Sequence, residues 1–175
     1  MISPTMQDAF NEQMKDELYS SYLYLSMSAY CEHANLPGLA TWMRQQAREE
    51  VKHAMKIFDH LLDRGGRPSL HPIDRPPSSF TSAREVFDQA HTHERQVTAN
   101  INKVYGLAVD ERDFASRVFL DWFVREQVEE EKTSGLIAEQ LRMVGEDRPG
   151  LLMLDRELGQ RRTRGGDEAG EAPGS

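Results

Sequence analysis

The run Arg48-Glu49-Glu50-Val51-Lys52-His53-Ala54-Met55 places a carboxylate and an imidazole three residues apart. On a helix that spacing puts Glu50 and His53 on one face, where both can reach a single metal ion. The face is otherwise largely apolar. Leu39, Met43, Gln46, Glu50, Ala54, Ile57 and Leu61 succeed one another at helical spacing, with His53 one turn from Glu50. Three further stripes carry the same anomaly. One reads Met6, Phe10, Glu17, Tyr24, Cys31; the next Phe87, Ala90, Glu94, Val97, Ile101, Ala108; the last Ser116, Leu120, Phe123, Gln127, Glu130, Ser134, Leu141. Each stripe holds one carboxylate, near the middle of its segment.

Any one of these residues is most simply a surface group or a satisfied buried one. Four together are different. Unpaired carboxylates in a dry core cost several kcal/mol each even after relaxation, and no Lys or Arg lies on the stripes to neutralise them. Two divalent cations would bring a charge of +4 against −4, with one carboxylate shared between them. Carboxylate and imidazole ligands suit iron or manganese and tolerate zinc.

The elements that must position these groups are four long helices, expected at about residues 5–33, 38–64, 82–108 and 112–143. Ser3-Pro4-Thr5 reads as the first start signal. Asn35-Leu36-Pro37-Gly38, Gly65-Gly66 with Pro68, Gly106 with Val109-Asp110, and Gly145 with Pro149 read as the breaks. The first and third links are short, so each joins antiparallel neighbours. The middle link, about 66–81, contains Pro68, Pro72, Pro76 and Pro77. A helix of about 27 residues is roughly 40 Å long, and about 16 extended residues reach roughly 50 Å. The link can therefore run the length of the bundle and make the second and third helices parallel. With aligned ends, Glu17, Glu50, Glu94 and Glu130 share one layer, and His53 and Gln127 fall on the same turns. The expectation is an all-α four-helix bundle with one long crossover. Residues 149–160 are expected to add a short fifth helix, and 161–175 a disordered tail.

Composition narrows the function classes. The chain has 175 residues and a net charge of −8, which argues against general nucleic-acid affinity. Cys31 is the only cysteine, so a disulfide framework or a Cys-rich zinc site within one chain is excluded. No apolar run approaches a membrane span, and MISPTMQDAFNEQ lacks the charge and hydropathy pattern of a secretory signal. The first helix carries a second apolar stripe, Met14, Leu18, Tyr22, Leu25 and Ala29, beyond what an isolated bundle needs. It reads as a wide core face or, more sharply, as a flank that packs on another subunit.

On Glu17, Tyr24, the Glu50-x-x-His53 pair, Glu94 and the Gln127-x-x-Glu130 pair, in that order on four helices, the chain resembles a ferritin of the haem-free bacterial type, over roughly residues 5–160. The resemblance implies one iron site at Glu17, Glu50 and His53 and a second at Glu50, Glu94 and Glu130, with Glu50 bridging and Gln127 beside the first. It makes Tyr24 the neighbouring tyrosine that hydrogen-bonds the site and gives an electron during oxidation. It also implies a third nearby iron site at Glu49, Glu126 and Glu129, sharing Glu130. Bacterioferritins carry a second Glu-x-x-His on the fourth helix and a haem-ligating Met after the bridging Glu. Here those places read Gln127-x-x-Glu130 and Val51, so no haem is expected. The implied function is iron storage with ferroxidase activity. Fe(II) would be oxidised by O₂ or H₂O₂ and the ferric mineral deposited in a homo-oligomeric shell of 24 subunits, in the cytoplasm, with neither nucleic acid nor membrane as partner. A shell whose bundle site does little chemistry and a di-metal oxidase that stores nothing are the other readings. The polar fifth helix, near Arg156, Glu157, Gln160 and Arg161, departs from the family's pattern.

Overall fold

The computed structural model describes residues 1–160. The expected tail at 161–175, with Arg161, lies outside the described residues. Five helices follow in order: α1 (Pro4–His33), α2 (Pro37–Asp63), α3 (Ala83–Asp110), α4 (Phe114–Val144) and α5 (Arg148–Gly159). No strand occurs among the described residues.

Local chemistry sets the ends. Ser3 Oγ accepts from Met6 N at 3.1 Å, and Pro4 opens α1. Ser82 and Asp113 cap α3 and α4 in the same way. Leu36, before α2, has no capping side chain; Asp155 of α5 accepts from Leu39 N at 2.9 Å instead. A Cβ on Gly38 would lie 1.7 Å from the Asp155 carbonyl oxygen, so this close approach requires glycine. Gly106 lies within α3, which runs on to Asp110, where the Val109-Asp110 break was read. Exposed helical glycine costs only about 1 kcal/mol, which burial of Val104 and Ala108 on either side offsets. The chain turns later, at Arg112, in the left-handed region at φ 54°.

The crossover is pinned along α1. Arg67 N donates to Gln7 Oε1 (2.7 Å), Ser69 N to Asn11 Oδ1 (2.8 Å), and Ser26 Oγ to the Pro77 carbonyl (2.6 Å). It thus climbs from near the start of α1 to its last third, the bundle-length path expected of it.

The core falls into two apolar clusters. One gathers Met6, Phe10, Ala54, Ile57, Val97, Ile101, Leu120 and Phe123; the other gathers Met27, Leu39, Met43, Phe87, Ala90, Ile137 and Leu141. Helices α1 and α4 run from the first cluster to the second, and α2 and α3 run the opposite way. That order makes α2 and α3 parallel. On every helix the carboxylate falls between its two apolar segments.

Candidate metal centre

The polar layer between the clusters is almost dry. Glu17, Glu50, His53, Glu94, Gln127 and Glu130 are each at most 5% exposed. No Lys or Arg is among the buried charged residues described. Glu17, Glu50 and His53 each offer a ligand atom, and these atoms lie within 4.8 Å of one another. His53 Nδ1 is 3.2 Å from Glu50 Oε2, and its ring is held edge-on by Trp122 and Phe123.

Glu94 and Glu130 stand opposite. Tyr24 donates its phenolic hydrogen to Glu94 Oε1, and Gln127 Nε2 donates to Glu94 Oε2 at 3.1 Å. Gln127 thus hydrogen-bonds Glu94, a member of the second set. Gln46 Nε2 donates to Glu130 Oε2 at 2.8 Å, and Gln13 Nε2 to Glu17 Oε1 at 2.9 Å. These two glutamines form a supporting shell that sequence reasoning did not single out. A signal was present for Gln13, which precedes Glu17 by four residues on the same helix face; Gln46 precedes Glu50 by four but bonds Glu130 of α4. Glu17 Oε2 is buried with no hydrogen-bond partner, which leaves a donor atom aimed into the layer.

The electrostatics follow from crowding. Burial, then the Glu50 charge, holds the Glu17 carboxyl well above its usual range. Burial, then the Glu94 charge, does the same to Glu50. Glu94 is raised chiefly by burial, against hydrogen bonds from Tyr24 and Gln127. Glu130 is pushed up to about 7 by burial and then by Glu94 and Glu49. Tyr24 is held well above the usual phenol range by burial and by Glu94, so it stays a neutral donor. A cation in this layer would relieve all four carboxylates at once, which is the electrostatic case for a metal.

The acidic residues outside the layer sort by exposure. Glu49 and Glu126 are half-buried and both raise Glu130; Glu129 is exposed on α4. Val51, at the position where a haem ligand would stand, is 42% exposed.

A family model for the ferritin-like domain matches residues 7–144. The chain belongs to the ferritin family. It is 38% identical over 158 residues to the bacterial non-heme ferritin of Escherichia coli O6:H1, covering 90% of this chain and 96% of that one. Against the bacterial non-heme ferritin of Bacteroides fragilis it is 41% identical over 161 residues, covering 92% of this chain and all of the relative. Among solved structures, an open pore ferritin from Archaeoglobus fulgidus superposes with a TM-score of 0.91 at 46% identity, over 93% of this chain and all of that one. A form of the same archaeal ferritin engineered to be closed superposes with a TM-score of 0.92. Iron storage is the role that ferritin membership carries, and Glu17, Glu50 and His53 in the buried layer form a candidate metal group. No helix among the described residues is long and apolar enough to cross a membrane.

Proposed function

We propose that this ferritin is a ferroxidase as well as a store. Two Fe(II) ions are its substrates, one at Glu17, Glu50 and His53 and one at Glu50, Glu94 and Glu130, with Glu50 shared. The observation that carries this reading is the layer itself: four buried carboxylates and one imidazole between two apolar clusters, with no buried cation among them.

The redox balance is simple. Two Fe(II) give two electrons; O₂ takes them with two protons to form H₂O₂, or H₂O₂ takes them with two protons to form two waters. The raised carboxyls release their protons as the cations enter. Carboxylate oxygens stabilise Fe(III) over Fe(II), which favours oxidation in place. Tyr24 holds Glu94 in position and is the residue placed to supply a further electron. Glu49, Glu126 and Glu129, with Glu130 shared, form a third, looser iron site on the way out. Their greater exposure suits transit rather than storage.

The ferric product accumulates inside a hollow homo-oligomer of 24 copies, built from residues 1–160 and working in the cytoplasm without haem. Tyr22 and Leu25, 51% and 49% exposed on α1, supply an apolar flank for a neighbouring copy. Aerobic oxidation of Fe(II) by the purified protein tests the reading. Initial rates should collapse in Glu50→Ala combined with Glu130→Ala; unchanged rates would remove the assignment.

A further inference from the structure

Helix α4 shows the layer two different faces. Glu126 lies on the side toward Glu49 of α2, and both Glu49 and Glu126 act on Glu130. Val124, Gln127, Val128 and Glu131 lie on the other side. There they meet Thr98, Ile101 and Asn102 of α3 around a pocket of about 300 Å³. The Glu49 side carries carboxylates and suits a divalent cation. The pocket is lined by Ile101, Val124 and Val128, by three neutral polar side chains, and by a single charge, Glu131.

The floor of this pocket is thin. Gln127 Nε2 donates both to Thr98 Oγ1 at 3.3 Å and to Glu94 Oε2 at 3.1 Å. One side-chain amide therefore separates the pocket from a carboxylate of the second metal set. The apolar clusters close the layer above and below it. An apolar recess strips little hydration from a neutral diatomic molecule, whereas Fe(II) would have to exchange its water shell for one carboxylate and a few amide and hydroxyl oxygens.

We propose that the Thr98–Ile101–Val124–Val128 pocket is a dioxygen antechamber, delivering O₂ past Gln127 to the Glu94 side of the layer while iron uses the Glu49 side. The inference rests on the ferroxidase reading and adds the oxidant's route to it.

Two measurements test it. Crystals of the wild-type protein pressurised with xenon, an apolar stand-in for O₂, should show a xenon peak between Ile101 and Val124. No peak there would overturn the proposal. Val124→Phe narrows the pocket without touching the proposed iron ligands. In stopped-flow oxidation at fixed Fe(II), its apparent KM for O₂ should rise about threefold or more, with kcat at saturating O₂ and anaerobic Fe(II) stoichiometry unchanged. An O₂ dependence equal to the wild type would also overturn it. Weakened anaerobic Fe(II) binding with the O₂ dependence intact would assign the pocket to the cation and refute the proposal. If the wild type does not oxidise Fe(II) at all, the ferroxidase reading fails on that result, while the xenon peak still reports what the pocket holds.

Discussion

Glu17 on α1 and Glu50 on α2 meet in the dry layer with their ligand atoms, and that of His53, all within 4.8 Å of one another. In the metal-free protein both carboxyls are raised, first through burial; the Glu50 charge then adds to Glu17, and the Glu94 charge to Glu50. The same two groups that oppose each other without a cation would cooperate around one.

The metal-free protein should lose stability as pH rises. A carboxyl raised in the folded state binds more protons than its unfolded counterpart, so its contribution is full below the unfolded value of 4.5 and is lost as pH climbs through the folded value. For Glu130 that window runs from 4.5 to about 7, worth on the order of 3 kcal/mol; Glu17, Glu50 and Glu94 act in the same direction. Thermal unfolding after chelation should show Tm falling by several degrees between pH 5 and 8. Fe(II) or Zn(II) should remove the fall, and Glu130→Gln should reduce it. A metal-free Tm that rises over that range would refute this electrostatic account.

Tyr24→Phe should leave the fold intact but loosen the second iron. It deletes the hydroxyl that donates to Glu94 Oε1, and loss of such an orienting hydrogen bond typically costs 10–100-fold in metal affinity. Anaerobic Fe(II) titration should show one tight equivalent retained and the next weakened about tenfold. Equal weakening of both would contradict the assignment of Glu94 to the second site.

Asp155→Ala should destabilise the bundle by about 1–2 kcal/mol, the usual cost of a lost helix cap. Asp155 Oδ1 caps α2 across the α2–α5 contact, since Leu36 cannot. Gly38→Ala should be worse, because its Cβ would meet the Asp155 backbone at 1.7 Å. Denaturant unfolding of the metal-free variants checks the order; a neutral Gly38→Ala would disprove the tight α2–α5 fit.

Tyr22→Asp with Leu25→Asp should break the shell into small species that retain helical content. Both side chains are half-exposed on α1 in the single chain, and each would place a charge in an apolar contact between copies. Native mass spectrometry decides; an unaltered assembly would put the subunit contact elsewhere.

The bundle was legible because four stripes kept a single period and the links differed in length. Every residue of the four carboxylate-bearing stripes is buried. The crossover could be placed because only a bundle-length path fits its reach, and its bonds to Gln7, Asn11 and Ser26 show that path. Gly106 lies inside α3 because a glycine weakens a helix without ending it when both flanks are buried; the helix ends at Asp110, within the break read at Val109-Asp110. Gln13 and Gln46 were given no role because neutral amides announce no chemistry until their partners are known. The hydrogen-bond partner of Gln127 could not be read either: helical spacing fixes the face, whereas the contact with Glu94 depends on how α3 and α4 pack.

The most direct test is anomalous diffraction at the iron edge from crystals loaded anaerobically with Fe(II). Two peaks should appear within each bundle, one bound by Glu17, Glu50 and His53 and the other by Glu50, Glu94 and Glu130, with Glu50 touching both. A single peak, or iron confined to Glu126 and Glu129 outside the buried layer, would contradict the di-iron assignment.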